Sequence, residues 1–449
     1  SANPLGDGEQ AVKNCPTTNI RNFCLAGHAG SGKTSLADLM LYKAGAVNRL
    51  GKVDNGTSVS DFRPEEHERK SSIYTAALNC SWKEHALFFL DTPGYADFWG
   101  ETVAALSVAD MALLVVDAAT GVETGAIRAW KQASEQNIPR AFFINGLDRE
   151  QADYAGVLAT LQETYGATVC IPFTVPVGEK AEFASVVQVL SSDSVPADVE
   201  DTVARYKEAL MDTVAESDEE LMMRYLEGEE LSEAEIAKGL HAAIAEGAIV
   251  PVFCGSAETD VGIDEVMDGI VNLFPDPLSG GPVALEEGEL ERTGGDGEAM
   301  GRVFKCLSDP FIGQLTFLRI YSGSFEADSE ATNVNRNVKE RWGNLLRING
   351  KEQDKAEQAG PGEFVALAKL KDTHISDTLS SNGSATPFPP LDFPKPTMSY
   401  AVFAEKKGDE EKIAQGLQRM GEEDPTLQLE RNKETRETLL SGIGDLQLS

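Results

Sequence analysis

Positive charge is what this sequence has least of for its size. Its 449 residues include 39 Lys and Arg against 73 Asp and Glu, a formal net charge of −34. So acidic a balance excludes a broad nucleic-acid-coating surface, while leaving room for a local basic contact. Long apolar runs are missing too. No stretch reaches the roughly 18 residues a membrane span needs, and no signal-peptide pattern is present, so no membrane partner is expected. Cysteine is sparse: Cys15, Cys24, Cys80, Cys170, Cys254 and Cys306 are scattered, with no C-x-x-C pair. Most sit in apolar segments, which suits buried reduced thiols of a cytoplasmic protein better than a disulfide framework. The rest is ordinary globular composition, 41% hydrophobic and 25% charged. One core does not suffice at this length, so roughly two to four domains are expected in a chain read as a monomer.

What is there is organised around Gly27-His28-Ala29-Gly30-Ser31-Gly32-Lys33-Thr34. The run fits G-x-x-x-x-G-K-[ST], a phosphate-binding loop. Glycines let the backbone curl so that successive N–H groups face phosphate oxygens. Lys33 can reach the β/γ-phosphates, and the Thr34 hydroxyl can hold Mg²⁺. Residues 22–26 read as a buried strand before the loop, and 35–42 as the helix whose N-terminus faces the anion.

Residues 50–81 read as a long polar loop of the functional or mobile kind. Their charge run, Glu65-Glu66-His67-Glu68-Arg69-Lys70, reads first as a solvated face. An apolar strand at 86–90 then ends in Asp91-Thr92-Pro93-Gly94-Tyr95. Beside a phosphate loop, Asp91 can order the water shell of a Mg²⁺ ion and Gly94 can offer its N–H to a γ-phosphate. Further apolar runs at 111–117, 141–144 and 249–254 alternate with helical segments, the pattern of a mostly parallel, doubly wound sheet. The fourth run ends in Asn145-Gly146-Leu147-Asp148, the fifth in Gly255-Ser256-Ala257. Every motif thus follows a strand, where such sheets bind ligands. Asn145 and Asp148 have the spacing that reads guanine: a carboxylate accepts from two donors that adenine does not offer. Ser256-Ala257 can place an N–H on the guanine carbonyl.

The remaining segments give the expected organisation. Residues 1–19 read as a disordered tail and 20–280 as the nucleotide domain. An α+β insert of about 154–247 interrupts that domain. It holds a β-like part at 169–190 and acidic helices at 198–226 and 232–245. Met211, Met222 and Met223 of the insert read as core filling. Residues 281–298 read as a linker. Short alternating strands and turns over 299–385 read as an antiparallel β-barrel. Residues 386–449 follow a strand-helix-strand-strand order, with Ile413, Leu417 and Met420 on one side of the helix. A split β-α-β-β-α-β unit would need another helix and strand, so this third domain reads as cut short.

The ordered set Gly27–Thr34, Asp91–Tyr95, Asn145–Asp148 and Ser256-Ala257 resembles the translational GTPases. The run Asp309-Pro310-Phe311-Ile312-Gly313-Gln314-Leu315-Thr316-Phe317-Leu318-Arg319-Ile320-Tyr321-Ser322-Gly323 is similar to the second-domain signature of elongation factor G. Glu422-Glu423-Asp424-Pro425-Thr426-Leu427 and Gly442-Ile443-Gly444-Asp445-Leu446-Gln447-Leu448 resemble that family's third-domain motifs. Glu219-Glu220-Leu221-Met222 and Gly228-Glu229-Glu230-Leu231 resemble its insertion. The resemblance implies a P-loop GTPase domain with an inserted subdomain, a β-barrel and a partial ferredoxin-like domain. It also implies GTP/GDP and Mg²⁺ as cofactors, and the ribosome, its RNA and its proteins, as partner. Thr34, Ser72 and Asp91 would serve the metal; Lys33, Gly94 and Tyr95 would serve catalysis.

Four positions depart from the family pattern. Gly30 stands where an Asp usually helps hold a charge-balancing cation. Tyr95 stands where a His positions the attacking water. Gly146 stands where a Lys covers the base, and Ser72 where a Thr ligates the metal. These changes resemble an elongation factor G-like paralogue branch. The family's two C-terminal domains have no counterpart in this sequence, so the chain reads as a fragment. Three functions stay open: a ribosome-dependent GTPase in a translocation-related step, a nucleotide-gated binding or regulatory protein with weak turnover, and a ribosome-protection factor.

Overall fold

A computed structural model describes residues 15–190, 195–216, 219–229, 231–309, 313–404, 406, 408–435 and 437–449. The first fourteen residues of the expected tail, Pro310 to Ile312 of the signature run and Glu230 lie outside these. Residues Thr17–Asn19, assigned to the tail, form a helical turn.

The first layer is a seven-stranded sheet. Its strands are β1 (Ile20–Gly27), β2 (Ala76–Trp82), β3 (His85–Asp91), β4 (Met111–Asp117), β5 (Arg140–Asn145), β6 (Cys170–Pro172) and, after the hairpin β7 (Thr174–Val177) and β8 (Ser185–Gln188), β9 (Val250–Cys254). The order is β2-β3-β1-β4-β5-β9-β6, parallel except for β2. Every residue of β1 and of β4 is buried. Such strands are largely apolar because helices cover both faces; the exceptions in β1, Arg21 and Asn22, donate to Val271 O and Gly362 O. Along β1, Phe23 and Leu25 join the cluster with Leu36 and Met40 of α1 (Lys33–Lys43). Cys24 and Ala26 join Val103 of α3 (Trp99–Leu106) and Ala129 of α4 (Thr124–Glu135) on the other face.

Three expectations change here. The stretch 50–81 is not a plain loop. It holds a six-residue helix, α2 (Pro64–Arg69), and the edge strand β2. The polar residues of β2 hid it: Asn79 Nδ2 donates 2.8 Å to Ile348 of the next domain, so its polarity serves an interface. The insert also begins later than residue 154. Helix α5 (Tyr154–Tyr165) packs in the main core, and β6 pairs with β9 in the main sheet. Among the described residues of the insert, β7-β8 and helices α6 (Glu200–Glu216), α7 (Glu219–Leu226) and α8 (Glu233–Ala245) stand apart from that sheet, and α8 carries the expected capping box from Ser232 and Glu235. Met222 and Met223 are exposed rather than core filling, 38% and 61%. Helix α9 (Ile263–Leu273) closes the domain.

After the hairpin β10 (Val283–Ala284) and β11 (Glu289–Leu290) come the strands of a second domain. They are β12 (Met300–Asp309), β13 (Gly313–Ser322), β14 (Phe325–Glu326), β15 (Glu330–Asn333), β16 (Val338–Arg341), β17 (Leu345–Asn349), β18 (Glu352–Ala356), β19 (Gln358–Ala359), β20 (Phe364–Ala368) and β21 (Thr378–Ser380). Eight of them form one antiparallel sheet and β14-β19 pair separately. Alternation assigns the two faces of this sheet. Leu318 and Ile320 of β13, with Val365 and Leu367 of β20, fill the domain's own core. Leu315, Phe317, Phe364 and Ala366 point the other way and join the nucleotide domain's core.

Arg319 shares that second face. It donates 2.7 Å to Asp110, at the entry to β4, while Arg292 donates 2.6 Å to the other carboxylate oxygen. Burial would raise the Asp110 carboxyl, but the two guanidiniums hold it below the usual carboxylate range. The third domain is β22 (Met398–Val402), α10 (Glu410–Glu423), β23 (Gln428–Arg431), β24 (Thr438–Gly442) and α11 (Asp445–Leu448), with sheet order β22-β24-β23. Ile413 and Leu417 are half-buried, whereas Met420 is exposed.

Removing Asp110 strands two guanidiniums, one of them 1% exposed. Asp110→Ala is expected to lower unfolding free energy by about 3–5 kcal/mol, read as a lower urea midpoint for the nucleotide and second domains together. A change below about 0.5 kcal/mol would show that the pair does not tie the domains.

Candidate functional site

The carboxyl ends of β1, β3, β5 and β9 open onto one cleft of about 500 Å³. Its floor is the turn from β1 into α1. Gly32 sits there at φ 88°, and an added Cβ would strike the Asn145 amide. Gly94 lies so close that a Cβ would come within 2.6 Å of Ala29 Cα. The loop after β3 is thus laid directly on the phosphate loop. Lys33 Nζ donates 2.8 Å to His28 O and 3.3 Å to Gly27 O. Burial lowers this ammonium to about 8, although Asp91 and Asp61 pull the other way. His28 Nδ1 accepts from Gly125 N–H at 3.3 Å, and Nε2 lies 3.5 Å from Glu123.

The three residues expected at a metal meet. Thr34 Oγ1 donates 2.7 Å to Asp91 Oδ2 and lies 3.0 Å from Ser72 Oγ. Asp91 is fully buried, and its Oδ1 has no hydrogen-bond partner. Thr92 Oγ1 donates 2.7 Å to Leu25 O, and Pro93 O accepts from Thr102, which fixes the strand exit. Tyr95 follows at the rim, 41% exposed.

At the far side, Asn145 is spent inside the protein. Its Nδ2 donates 2.9 Å to Ser31 O and its Oδ1 accepts 2.9 Å from Ala257 N–H. Ser256 Oγ accepts from the N–H groups of Glu258 and Thr259, so it holds a turn. Leu147 is buried, its N–H donating 3.3 Å to Gly255 O. Asp148 Oδ1 is a buried acceptor with no partner. Of the two residues at guanine-reading spacing, Asp148 is the one with an oxygen free. Gly146, at φ 80°, is covered by the Arg149 side chain.

Four contributors escaped the sequence reading. Asp61 is 2% exposed, lines the cleft, and both its oxygens lack partners. Ser60 Oγ donates 2.6 Å to Asp91 Oδ2. Glu66 is 1% exposed: it accepts from Ile73 and Tyr74 N–H at 3.0 and 3.1 Å and from Arg63 N–H at 3.2 Å. That pulls the chain after α2 back so that Ser72 reaches Thr34. The charge run therefore holds an anchor, while Glu65 and Glu68 keep the solvated role. Arg149 is the fourth. None shows periodicity, and the only signal is a carboxylate pair close to a phosphate loop.

Comparison with known families agrees with this geometry. Residues 18–276 match the elongation factor Tu GTP binding domain, 298–382 match elongation factor G domain 2, and 393–449 match elongation factor G domain III. The chain belongs to the translational GTPases of the elongation factor G type. A crystal structure of a protein from Thermus thermophilus is similar, with 32% identity and a TM-score of 0.87 over 96% of this chain. This chain spans 65% of that protein's length. Among the described residues no helix is long and apolar enough to cross a membrane.

In this translational GTPase the crowded carboxylates suit a hard divalent cation with oxygen ligands. Burial, then Asp91 and Glu66, push Asp61 up to about 8, against about 4 in an unfolded chain. The folded state then keeps a proton that the unfolded chain releases, so Asp61 makes the nucleotide-free protein less stable as pH rises from about 4 to about 8. Asp61→Asn is expected to raise the thermal midpoint at pH 8 and much less at pH 5; a difference independent of pH would contradict this.

Proposed function

We propose that this chain binds GTP and GDP with Mg²⁺, hydrolyses GTP, and works at the ribosome in a translocation-related step. The observation that carries the reading is a set of buried carboxylate oxygens without partners at the strand ends around one cleft. Both Asp61 oxygens lack partners and Asp61 lines the cleft with Lys33 and Thr34, Asp91 Oδ1 lacks one beside Thr34, and Asp148 Oδ1 lacks one three residues after the end of β5. Lys33 and the amides of the 27–34 turn hold the phosphates. Thr34 and Ser72 hold Mg²⁺, with Asp91 and Asp61 on its water shell. When bound, the metal neutralises charge developing on the phosphate oxygens. Gly94, laid against Ala29, offers its N–H to the γ-phosphate and moves when that phosphate leaves. Tyr95 stands at the rim where an attacking water would enter. A phenol orients water less well than an imidazole, so turnover without a partner is slow.

Contacts between domains support a relay to the ribosome. Arg69, at the end of α2, donates 2.8 Å to Leu446 O of α11, and Asp97, two residues after Tyr95, accepts 2.8 Å from Leu446 N–H. Arg63 lies 3.5 Å from Glu423 of α10. Both phosphate-sensing segments therefore touch the third domain, and a change at the γ-phosphate is passed on as a change in domain placement. A nucleotide-gated binding protein with weak turnover is the second reading, favoured by Tyr95 and by Gly30, around which an added Cβ meets nothing within 4 Å.

Asp148→Asn is expected to exchange preference from GTP to xanthosine triphosphate by at least roughly tenfold in a competition titration, because the carboxamide donates where guanine also donates. An unchanged preference would remove Asp148 from base reading. Ribosomes added to the full-length protein separate the two readings. Stimulated multiple-turnover GTP hydrolysis is expected; nucleotide-dependent ribosome binding without stimulation favours the second.

A further inference from the structure

Arg149 has no place in the phosphate chemistry, yet its side chain borders the same cleft. Its position is unusual. A Cβ added to Gly146 would lie 3.1 Å from Arg149 Nε, 3.3 Å from Cδ and 3.4 Å from Cζ. The guanidinium and its stem therefore occupy the space above residue 146, and residue 146 has no side chain to contest it. Two contacts hold the arm there. The Arg149 N–H donates 3.1 Å to Gly146 O, closing a turn, and Nη1 pairs with Asp117, whose side chain is 2% exposed. Asp117 is itself fixed, its Oδ1 accepting from Ala119 and Thr120 N–H at 2.8 and 3.0 Å. The guanidinium is thus anchored at one end, while the side chain as a whole is 48% exposed.

Asp148, the preceding residue, carries the unpaired acceptor that would meet the edge of a purine. A ring whose edge meets Asp148 needs a surface for its face, and glycine at 146 offers none. A planar guanidinium stacks on aromatic faces better than an ammonium does. We propose that Arg149 covers one face of the bound purine in the turn after β5, its guanidinium lying along that face above Gly146. The proposal rests on the guanine-nucleotide reading of this cleft. Stacking is indifferent to the base's edge groups, so Arg149 contributes affinity for any purine, whereas Asp148 contributes the choice of guanine.

The test is a calorimetric titration of the whole chain with GDP, inosine diphosphate and inorganic pyrophosphate. It compares wild type with Arg149→Ala, Arg149→Lys and Arg149→Met. Arg149→Ala is expected to weaken GDP and inosine diphosphate alike by roughly tenfold and to leave pyrophosphate unchanged. Arg149→Lys keeps a cation for Asp117 without the plane and should not restore GDP affinity. Arg149→Met keeps the stem without the charge and should fall between wild type and Ala. GDP affinity within twofold of wild type in Arg149→Ala overturns the proposal, as does full restoration by Lys, which would reduce Arg149 to an anchor for Asp117. A wild-type chain that binds pyrophosphate but no guanine nucleotide would instead overturn the nucleotide reading itself.

Discussion

The Asn145 carboxamide is the tie on which the cleft depends. One end donates to Ser31 O in the phosphate loop and the other accepts from Ala257 N–H after β9. Three strand exits, from β1, β5 and β9, are held in register by a single buried side chain. An amide can do this because it donates and accepts at once, and at 3% exposure water does not compete for either end. Gly32 is required beside it, since a Cβ there would displace the amide. Asn145 thus builds the site, while Asp148 Oδ1 is left without a partner.

Around this tie the structure sets out unmet needs. Asp91 has taken hydroxyl donors from Thr34 and Ser60 on one oxygen and nothing on the other. Asp61 has taken none. Buried carboxylates without partners are costly, and here burial raises both toward the neutral form, with Asp91 adding to the rise at Asp61. A divalent cation with a polyphosphate would meet both needs together. The second domain enters by the same economy of faces. Alternate residues of β13 and β20 fill two cores, and Arg319 on the shared face reaches Asp110. The nucleotide domain and the barrel-like sheet are therefore packed as one body, with the third domain touching α2 and the turn after Tyr95.

Much of this was legible in the residues. The five continuous apolar runs became the five central parallel strands because helices on both faces leave such strands no polar side. The motifs fell at strand ends because doubly wound sheets place their loops there. What stayed hidden was tertiary. β2 is polar because its outer edge is satisfied by Ile348 and Gly350 of another domain. Glu66 and Asp61 are charges in a charged, polar stretch, and nothing local marks them as buried. Met222 and Met223 were assigned to a core by composition, but α7 carries them outward. The insert's start was misplaced because a three-residue strand such as β6 is too short to show a period. The Arg149 side chain over Gly146 was hidden too, because a glycine in the sequence says nothing of which neighbour fills the space above it.

The central claim is that the cleft is a guanine nucleotide site governed by Asp148 on one side and a metal-bound phosphate grip on the other. The most direct measurement is a calorimetric titration of the chain with GTP, GDP and ATP, each with Mg²⁺ and again with a chelator. The account predicts saturable binding of GTP and GDP, at least roughly a hundredfold weaker binding of ATP, and a marked loss of GTP affinity without Mg²⁺. Equal affinity for ATP and GTP, or GTP binding indifferent to the metal, would contradict it.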